Sequence, residues 1–162
     1  MKIKVGFGFD VHKLETGEDL WIGGVHIPAD KGTVGHSDAD VLIHSICDAM
    51  LGAINLRDIG FHFPDTDPEY KDINSLKILS KVCSFLDEKG YVINNIDSTV
   101  CLESPKIADF IPEMKQALAA NTCLREEEIS IKATTTEKLG FTGRKEGVAA
   151  FCVILVRKKD EM

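Results

Sequence analysis

Nothing in this sequence offers a footprint for nucleic acid. Its 19 Lys and Arg residues are outnumbered by 26 Asp and Glu, the formal net charge is −7, and no basic block or stripe stands out. Apolar runs stay short of the length that spans a membrane, and the N-terminal MKIKVGFGFDVHKL alternates and carries a carboxylate where a secretory leader needs an unbroken apolar core. A cytoplasmic protein with no nucleic-acid or membrane partner is expected. The five cysteines, at 47, 83, 101, 123 and 152, are odd in number, widely spaced and never form a CxxC pair, which argues against a disulfide framework or a thiolate zinc site. Most lie in apolar runs and read as small core residues. Repeats, low-complexity tracts and linkers are missing. So are glycine-rich phosphate loops: GFGFD has no third glycine in register and no helix after it.

What remains is a chain of 162 residues, 44% of them hydrophobic, sized for one domain over 1–162 with a real core. Residues 2–12 alternate as a strand, and LWIGGVHIP reads as a hairpin turned by Gly23-Gly24. Ser37 to Leu56 has helical periodicity, with Ser37 or Asp38 as N-cap and Ile43, Ile46, Cys47, Met50 and Ile54 on one stripe. After the loop DIGFHFPDTDPEY a second helix spans Ile73 to Lys89 and stops at Gly90. Tyr91 to Leu102 is a strand; SPKIADFIPEMKQALAANT is a helix opened by Pro105 and kinked at Pro112. Ile129 to Ala133 and the mostly buried GVAAFCVILVRK complete the strands. Helices in series with four or five strands predict an α+β two-layer sandwich; a mixed α/β sheet fits the pattern as well.

Residues i and i+2 of a strand project to one face, so Asp10 and His12 present a carboxylate and an imidazole side by side. Asp40, His44 and Asp48 are spaced i, i+4, i+8 on a helical face bordering the apolar stripe. If the strand packs against that helix, Asp10, His12 and His44 form a three-ligand set suited to zinc with a fourth position open, and Asp48 is placed to hold the far ring nitrogen of His44. The ordinary alternatives are a hydrogen-bonded boundary histidine and a surface carboxylate. His36 competes with His44 as ligand, although beside Ser37 at a helix start it is better placed to donate to an anion. His26 and His62 read as surface or loop histidines.

KATTTEKLGFTGR, residues 132–144, concentrates hydroxyls, main-chain donors and cations in one loop. Thr134, Thr135 and Thr136 can converge on phosphate oxygens, Glu137 can hold a hard cation between them, and Lys132, Lys138 and Arg144 supply positive charge. A turn with solvated charges is the plain alternative. Taken with the metal set, the residues point to metal-dependent phosphoryl transfer on a small substrate. They do not name it.

FGFDVHKL, GHSDADVLIHSICDAMLGA, DIGFHFPDTDPEYK, ESPKI and KATTTEKLGFTGR, in this order and spacing over essentially the whole chain, resemble the 2-C-methyl-D-erythritol 2,4-cyclodiphosphate synthases of the non-mevalonate isoprenoid pathway. The resemblance implies a mixed sheet covered by helices on one face, assembled as a homotrimer with active sites between subunits. It implies an intramolecular reaction in which the 2-phosphate of 4-diphosphocytidyl-2-C-methyl-D-erythritol 2-phosphate attacks the β-phosphate and expels CMP. The nucleophile is already an anion, which accounts for the lack of a Ser-His-Asp or Cys-His arrangement.

By matching position, the resemblance gives zinc to Asp10, His12 and His44, and magnesium or manganese to Glu137. His36 and Thr135 would stabilise charge in the transition state, and Ser37, Thr134 and Thr136 would seat phosphates. Asp58, Ile59 and Gly60 would contact the methylerythritol, with Phe63, Pro64, Asp65, Thr66 and Asp67 as a flexible wall. Leu102, Glu103, Ser104, Pro105, Lys106 and Ile107 would form the cytosine pocket. Phe141 and Arg144 would lie toward the trimer axis, where family members can carry an isoprenoid diphosphate. One stretch departs from the family pattern: Lys71-Asp72-Ile73-Asn74-Ser75 stands where a sequence like KGADS is usual, and losing that glycine bears on loop mobility. A zinc phosphohydrolase and a non-enzymatic isoprenoid-diphosphate binding trimer also fit the bare residues, and products discriminate among the three.

Overall fold

The computed structural model describes residues 2–159. Strand β1 (Ile3–Thr16) runs further than predicted, and its alternation sends Gly6, Gly8, Asp10 and His12 to one side and Val5, Phe7, Phe9 and Val11 to the other. It pairs antiparallel with β7 (Gly147–Lys158), which pairs antiparallel with β5 (Tyr91–Cys101). β5 lies parallel to β6 (Ile129–Thr134), and β4 (Lys31–Val34) closes the opposite edge, giving the order β4-β1-β7-β5-β6. The sheet is therefore mixed and the fold α+β. A two-stranded hairpin, β2 (Leu20–Ile22) and β3 (Val25–Ile27), stands apart from it.

Helix α1 (Val41–Ala53) crosses β1 and β7, α3 (Ser75–Glu88) packs beside α1, and α4 (Ile111–Thr122) packs against α3 and β6. Two further helices are single turns, α2 (Ile59–His62) and α5 (Gly140–Gly143). The predicted stripe of α1 is buried throughout, from Ile43, Ile46, Cys47 and Met50 to Ile54. Each of the large aliphatic side chains contributes about 1.5–3 kcal/mol of transfer free energy.

Two glycines decide how closely strand and helix approach. A Cβ at Gly6 would lie 1.8 Å from the carbonyl oxygen of Ala49, and one at Gly8 1.9 Å from that of Ser45. Main chain therefore packs directly on main chain, and His44 is carried to the end of β1 where Asp10 and His12 project.

The start of α1 differs from the expectation. Asp40, fully buried, is the N-cap: its carboxylate accepts from Ile43 N–H at 3.0 Å and from the turn residues Gly23 (2.9 Å) and Gly24 (2.7 Å). Ser37 and Asp38 lie upstream in an irregular segment. A cap that also satisfies a hairpin outcompetes two residues that satisfy only the helix. Likewise Pro112 sits in the first turn of α4, where its missing N–H costs nothing, so it starts the helix rather than kinking it, and Pro105 lies in the preceding loop. β4 was not anticipated. Cys123 is exposed at the left-handed C-cap of α4, unlike the buried Cys47 and Cys152.

The sheet face away from the helices is apolar and bare. Ile3, Val5, Phe7, Phe9 and Val11 of β1 are joined by Phe151 and Val153 of β7, so the latter strand is less buried than expected; Phe7 and Val5 are more than 60% exposed. Phe9 and Phe151 are register partners with ring centroids 5.0 Å apart.

Candidate active site

Asp10 and His12 leave β1 on the helix side, and His44 leaves the first turn of α1 toward them. Their ligand atoms converge: His12 Nε2 to Asp10 Oδ2 is 2.9 Å, His44 Nδ1 to Asp10 Oδ2 is 3.2 Å, and His12 Nε2 to His44 Nδ1 is 3.1 Å. A zinc-sized ion held tetrahedrally by nitrogen and oxygen at about 2.0–2.1 Å sets its ligands roughly 3.3 Å apart. The cluster matches that spacing with little adjustment. His12 Nδ1 donates to the carbonyl of Val34 at 3.1 Å, which leaves Nε2 bare toward the cluster. The donors are thus two imidazoles and a carboxylate, a set that can hold a divalent metal, and it is the only such group among the described residues.

The electrostatics agree with a cation-seeking site. Burial pushes the Asp10 carboxyl up, but His12 and His44 beside it outweigh this and bring it down to about 2. Burial pulls the His12 imidazole down, and the Asp10 carboxylate more than reverses that, so its pKa is raised. A proton on His12 competes with metal for the same nitrogen. Metal affinity should therefore be flat at alkaline pH and fall about tenfold per pH unit once the pH drops below the raised His12 value. Zinc titrations across pH 5–9 check this; a fall beginning only below the ordinary histidine range, near 6.5, would contradict the raised pKa.

A cavity of about 300 Å³ opens beside the cluster. Gly35, His36 and Ser37 line it from the segment before α1, and Ile59, Gly60, Phe63 and Asp65 from α2 and the following loop. Asp58 caps α2 through Phe61 N–H at 2.9 Å. The loop from Phe63 through Pro64, Asp65, Thr66 and Asp67 is tied down at its end: His36 Nε2 lies 3.3 Å from the Asp67 carbonyl, and the Asp67 carboxylate accepts from Glu69 N–H at 3.0 Å. His36 is therefore a wall residue outside the ligand cluster. Tyr70 and Ile73 also line the cavity; neither is among the expected site residues, although Tyr70 stands in the DIGFHFPDTDPEYK motif and Ile73 in the stretch just after it.

Asp48 does not hold His44. Its carboxylate accepts from Ile59 N–H at 2.8 Å and so fixes the entry to α2, while the far nitrogen of His44, Nε2, lies 3.0 Å from Ser75 Oγ and 3.2 Å from Ser37 Oγ. The i+4 spacing is right for contact, but the unpaired main-chain donor at a helix start is the stronger claim on a carboxylate.

The threonine loop lies elsewhere. Asp10 pairs with Ala150, Ala150 with Val100 and Val100 with Ala133, so the start of the loop is three strand spacings from the cluster, roughly 14 Å along the sheet. There Thr135 Oγ1 donates to Glu137 Oε1 at 3.0 Å, Thr134 Oγ1 to the Thr135 carbonyl at 3.1 Å, and Thr136 Oγ1 to the Leu139 carbonyl at 2.7 Å. Lys132 is paired with Asp97 at 2.6 Å and Arg144 with Glu146 at 2.9 Å, so neither is a free cation. Leu102 N–H donates to the Thr134 carbonyl at 3.0 Å, which brings residues 102–107 against this loop. Leu102 and Ile107 bury their side chains, whereas Ser104 and Lys106 are exposed, and Glu103 and Pro105 are half-buried. Phe141 lies in α5 with its ring against Gly147. The metal-ligand cluster and the threonine loop therefore lie in separate parts of the chain.

The profile of the YgbB family matches residues 3–157. The chain belongs to this family. Among its relatives, the 2-C-methyl-D-erythritol 2,4-cyclodiphosphate synthase of Bacteroides thetaiotaomicron is 56% identical over 158 residues, covering 98% of this chain and 99% of the relative. The synthase of Phocaeicola vulgatus is 54% identical over 160 residues, 99% of this chain and all of the relative. In three dimensions the chain is similar to the bifunctional IspDF of Campylobacter jejuni (TM-score 0.93, 44% identity, 97% of this chain and 42% of that one). It is similar also to IspF of Plasmodium falciparum in complex with CDP (TM-score 0.86, 34% identity, 97% of each chain). The family match spans both the metal-ligand cluster and the threonine loop.

Proposed function

We propose that the protein is a 2-C-methyl-D-erythritol 2,4-cyclodiphosphate synthase, converting 4-diphosphocytidyl-2-C-methyl-D-erythritol 2-phosphate to the cyclic diphosphate and CMP. The observation that carries this is the convergence of Asp10, His12 and His44 on one point at the edge of the His36–Ser37 cavity, in a chain more than half identical to named synthases over its whole length. Asp10, His12 and His44 would hold zinc and Glu137 would hold magnesium or manganese, and the ions would supply neutralisation of phosphate charge.

The chain's own residues position and exclude. The 2-phosphate oxygen attacks the β-phosphorus, the bond to the bridging oxygen breaks, and CMP leaves with that oxygen; no proton need be removed first. His36 and Thr135 donate to the charge that develops, and Ser37, Thr134 and Thr136 seat phosphate oxygens. Asp58, Ile59 and Gly60 hold the methylerythritol, and Phe63 to Asp67 close over it. Main-chain groups of Leu102 to Ile107 grip cytosine, with Lys106 beside the diphosphate.

The metal-ligand cluster and the threonine loop are two half-sites that belong to different subunits of a homotrimer in the cytoplasm. The bare apolar sheet face supports this, because a monomer rarely leaves so many contiguous apolar side chains in water. Phe141 and Arg144 then approach the trimer axis, a place for an isoprenoid diphosphate. Phosphorus NMR of the purified protein with substrate, zinc and magnesium is expected to show stoichiometric CMP and a cyclic diphosphate. Inorganic phosphate or linear products would make it a hydrolase instead.

A further inference from the structure

The start of α3 holds a residue whose contacts have no part in the proposed reaction. Ser75 is fully buried, and its hydroxyl donates to Asp38 Oδ1 while its N–H donates to Asp38 Oδ2 at 2.9 Å. Asp38 Oδ1 also accepts from Asp40 N–H at 3.3 Å, so this carboxylate is an acceptor surrounded by donors. The one hydroxyl hydrogen of Ser75 is thereby committed. Only a lone pair remains toward His44 Nε2, 3.0 Å away. For that contact to be a hydrogen bond the imidazole must supply the proton. Ser37 Oγ, at 3.2 Å, is the other neighbour of Nε2; it accepts from Ala39 N–H and lines the cavity.

We propose that Asp38 and Ser75 form a hydrogen-bond relay that fixes His44 as the Nε2–H tautomer, aiming the bare Nδ1 at Asp10 and His12. The inference rests on the metal-site reading above and deepens it: Ser75 and Asp38 are positioning residues, acting through His44 without touching substrate. His12 is set in the mirror sense by the Val34 carbonyl, so both rings can turn a lone pair to the same point. The relay also ties two parts of the chain to the cluster, because Asp38 N–H donates to the Ile73 carbonyl and Asp72 N–H to that of His36.

The test uses the full chain, stripped of metal, with zinc affinity measured by competition against a chromogenic chelator. Ser75→Ala keeps the main-chain N–H to Asp38 and the Asn74 cap, so the helix start is retained. It should weaken zinc binding 10–100-fold, whereas Ser37→Ala should stay within about threefold of wild type. In parallel, long-range ¹H–¹⁵N correlation spectra of the metal-free wild type should report the Nε2–H tautomer for His44, a readout that does not depend on any variant folding. An unchanged affinity in Ser75→Ala, a loss confined to Ser37→Ala, or an Nδ1–H tautomer overturns the relay. A wild type that binds no zinc overturns relay and metal site together. A protein that binds zinc, loses it in Ser75→Ala and yet releases no CMP keeps the relay and sinks the proposed reaction.

Discussion

Replacing His44 by alanine is expected to lower CMP release by about three orders of magnitude, equivalent to ~4 kcal/mol of transition-state stabilisation. The ring contributes one of three converging donors, and the remaining pair, Asp10 and His12, both lie on one strand and cannot enclose an ion alone. The loss should appear in bound zinc as well as in turnover. The fold should survive: the His44 side chain is 12% exposed at the edge of the core, and the neighbours that seat α1 are Gly6, Gly8 and Asp40. Circular dichroism and melting of the variant beside wild type separate lost metal from lost structure. A variant that keeps wild-type turnover would remove the cluster from the chemistry.

The second large effect is a recovery. Glu137→Gln is expected to be as inactive as His44→Ala, because the threonine loop loses its carboxylate for the second metal. When the two variants are co-expressed in equal amounts, activity should return. A site that takes its metal cluster from one subunit and its threonine loop from the neighbour is intact when a Glu137→Gln chain stands beside a His44→Ala chain in the right order. In randomly mixed closed trimers roughly a quarter of sites meet that condition. A site contained within one chain predicts no recovery at all. The roughly 14 Å that three strand spacings put between Asp10 and the loop makes the shared site the expectation.

The sequence was most informative where a period repeated. The α1 stripe, the β1 alternation and the strand at 147–158 were legible because each apolar side chain independently votes for the same face. The convergence of Asp10, His12 and His44 was legible for the same reason: Asp10 and His12 inherit the strand's period, and His44 the helix's. Boundaries were not, because they are settled by distant groups. Three good caps lie between Ser37 and Asp40, and Gly23 and Gly24 choose among them. β4 exists because the overlong β1 offers an edge to Lys31–Val34, and four residues show no period of their own. The i+4 spacing of Asp48 from His44 cannot reveal a competing N–H at Ile59. Ser75 was invisible as a partner of His44, since the two meet only after α3 has packed beside α1.

β1 also constrains how this protein can change. Its even positions from 6 to 12 carry helix contact and metal donors, and its odd positions from 5 to 11 carry the bare apolar face. The strand is written in a two-letter reading frame, with the bare apolar face in one phase and the helix contacts and candidate metal donors in the other. Inserting or deleting a single residue between 5 and 10 would swap the phases over the shifted stretch, pressing Val or Phe into the Ala49 and Ser45 carbonyls or turning Asp10 and His12 outward. Point substitutions can tune either function alone. Indels cannot, so related chains are expected to vary in side chain along this strand while its length between the first glycine and the second ligand stays fixed.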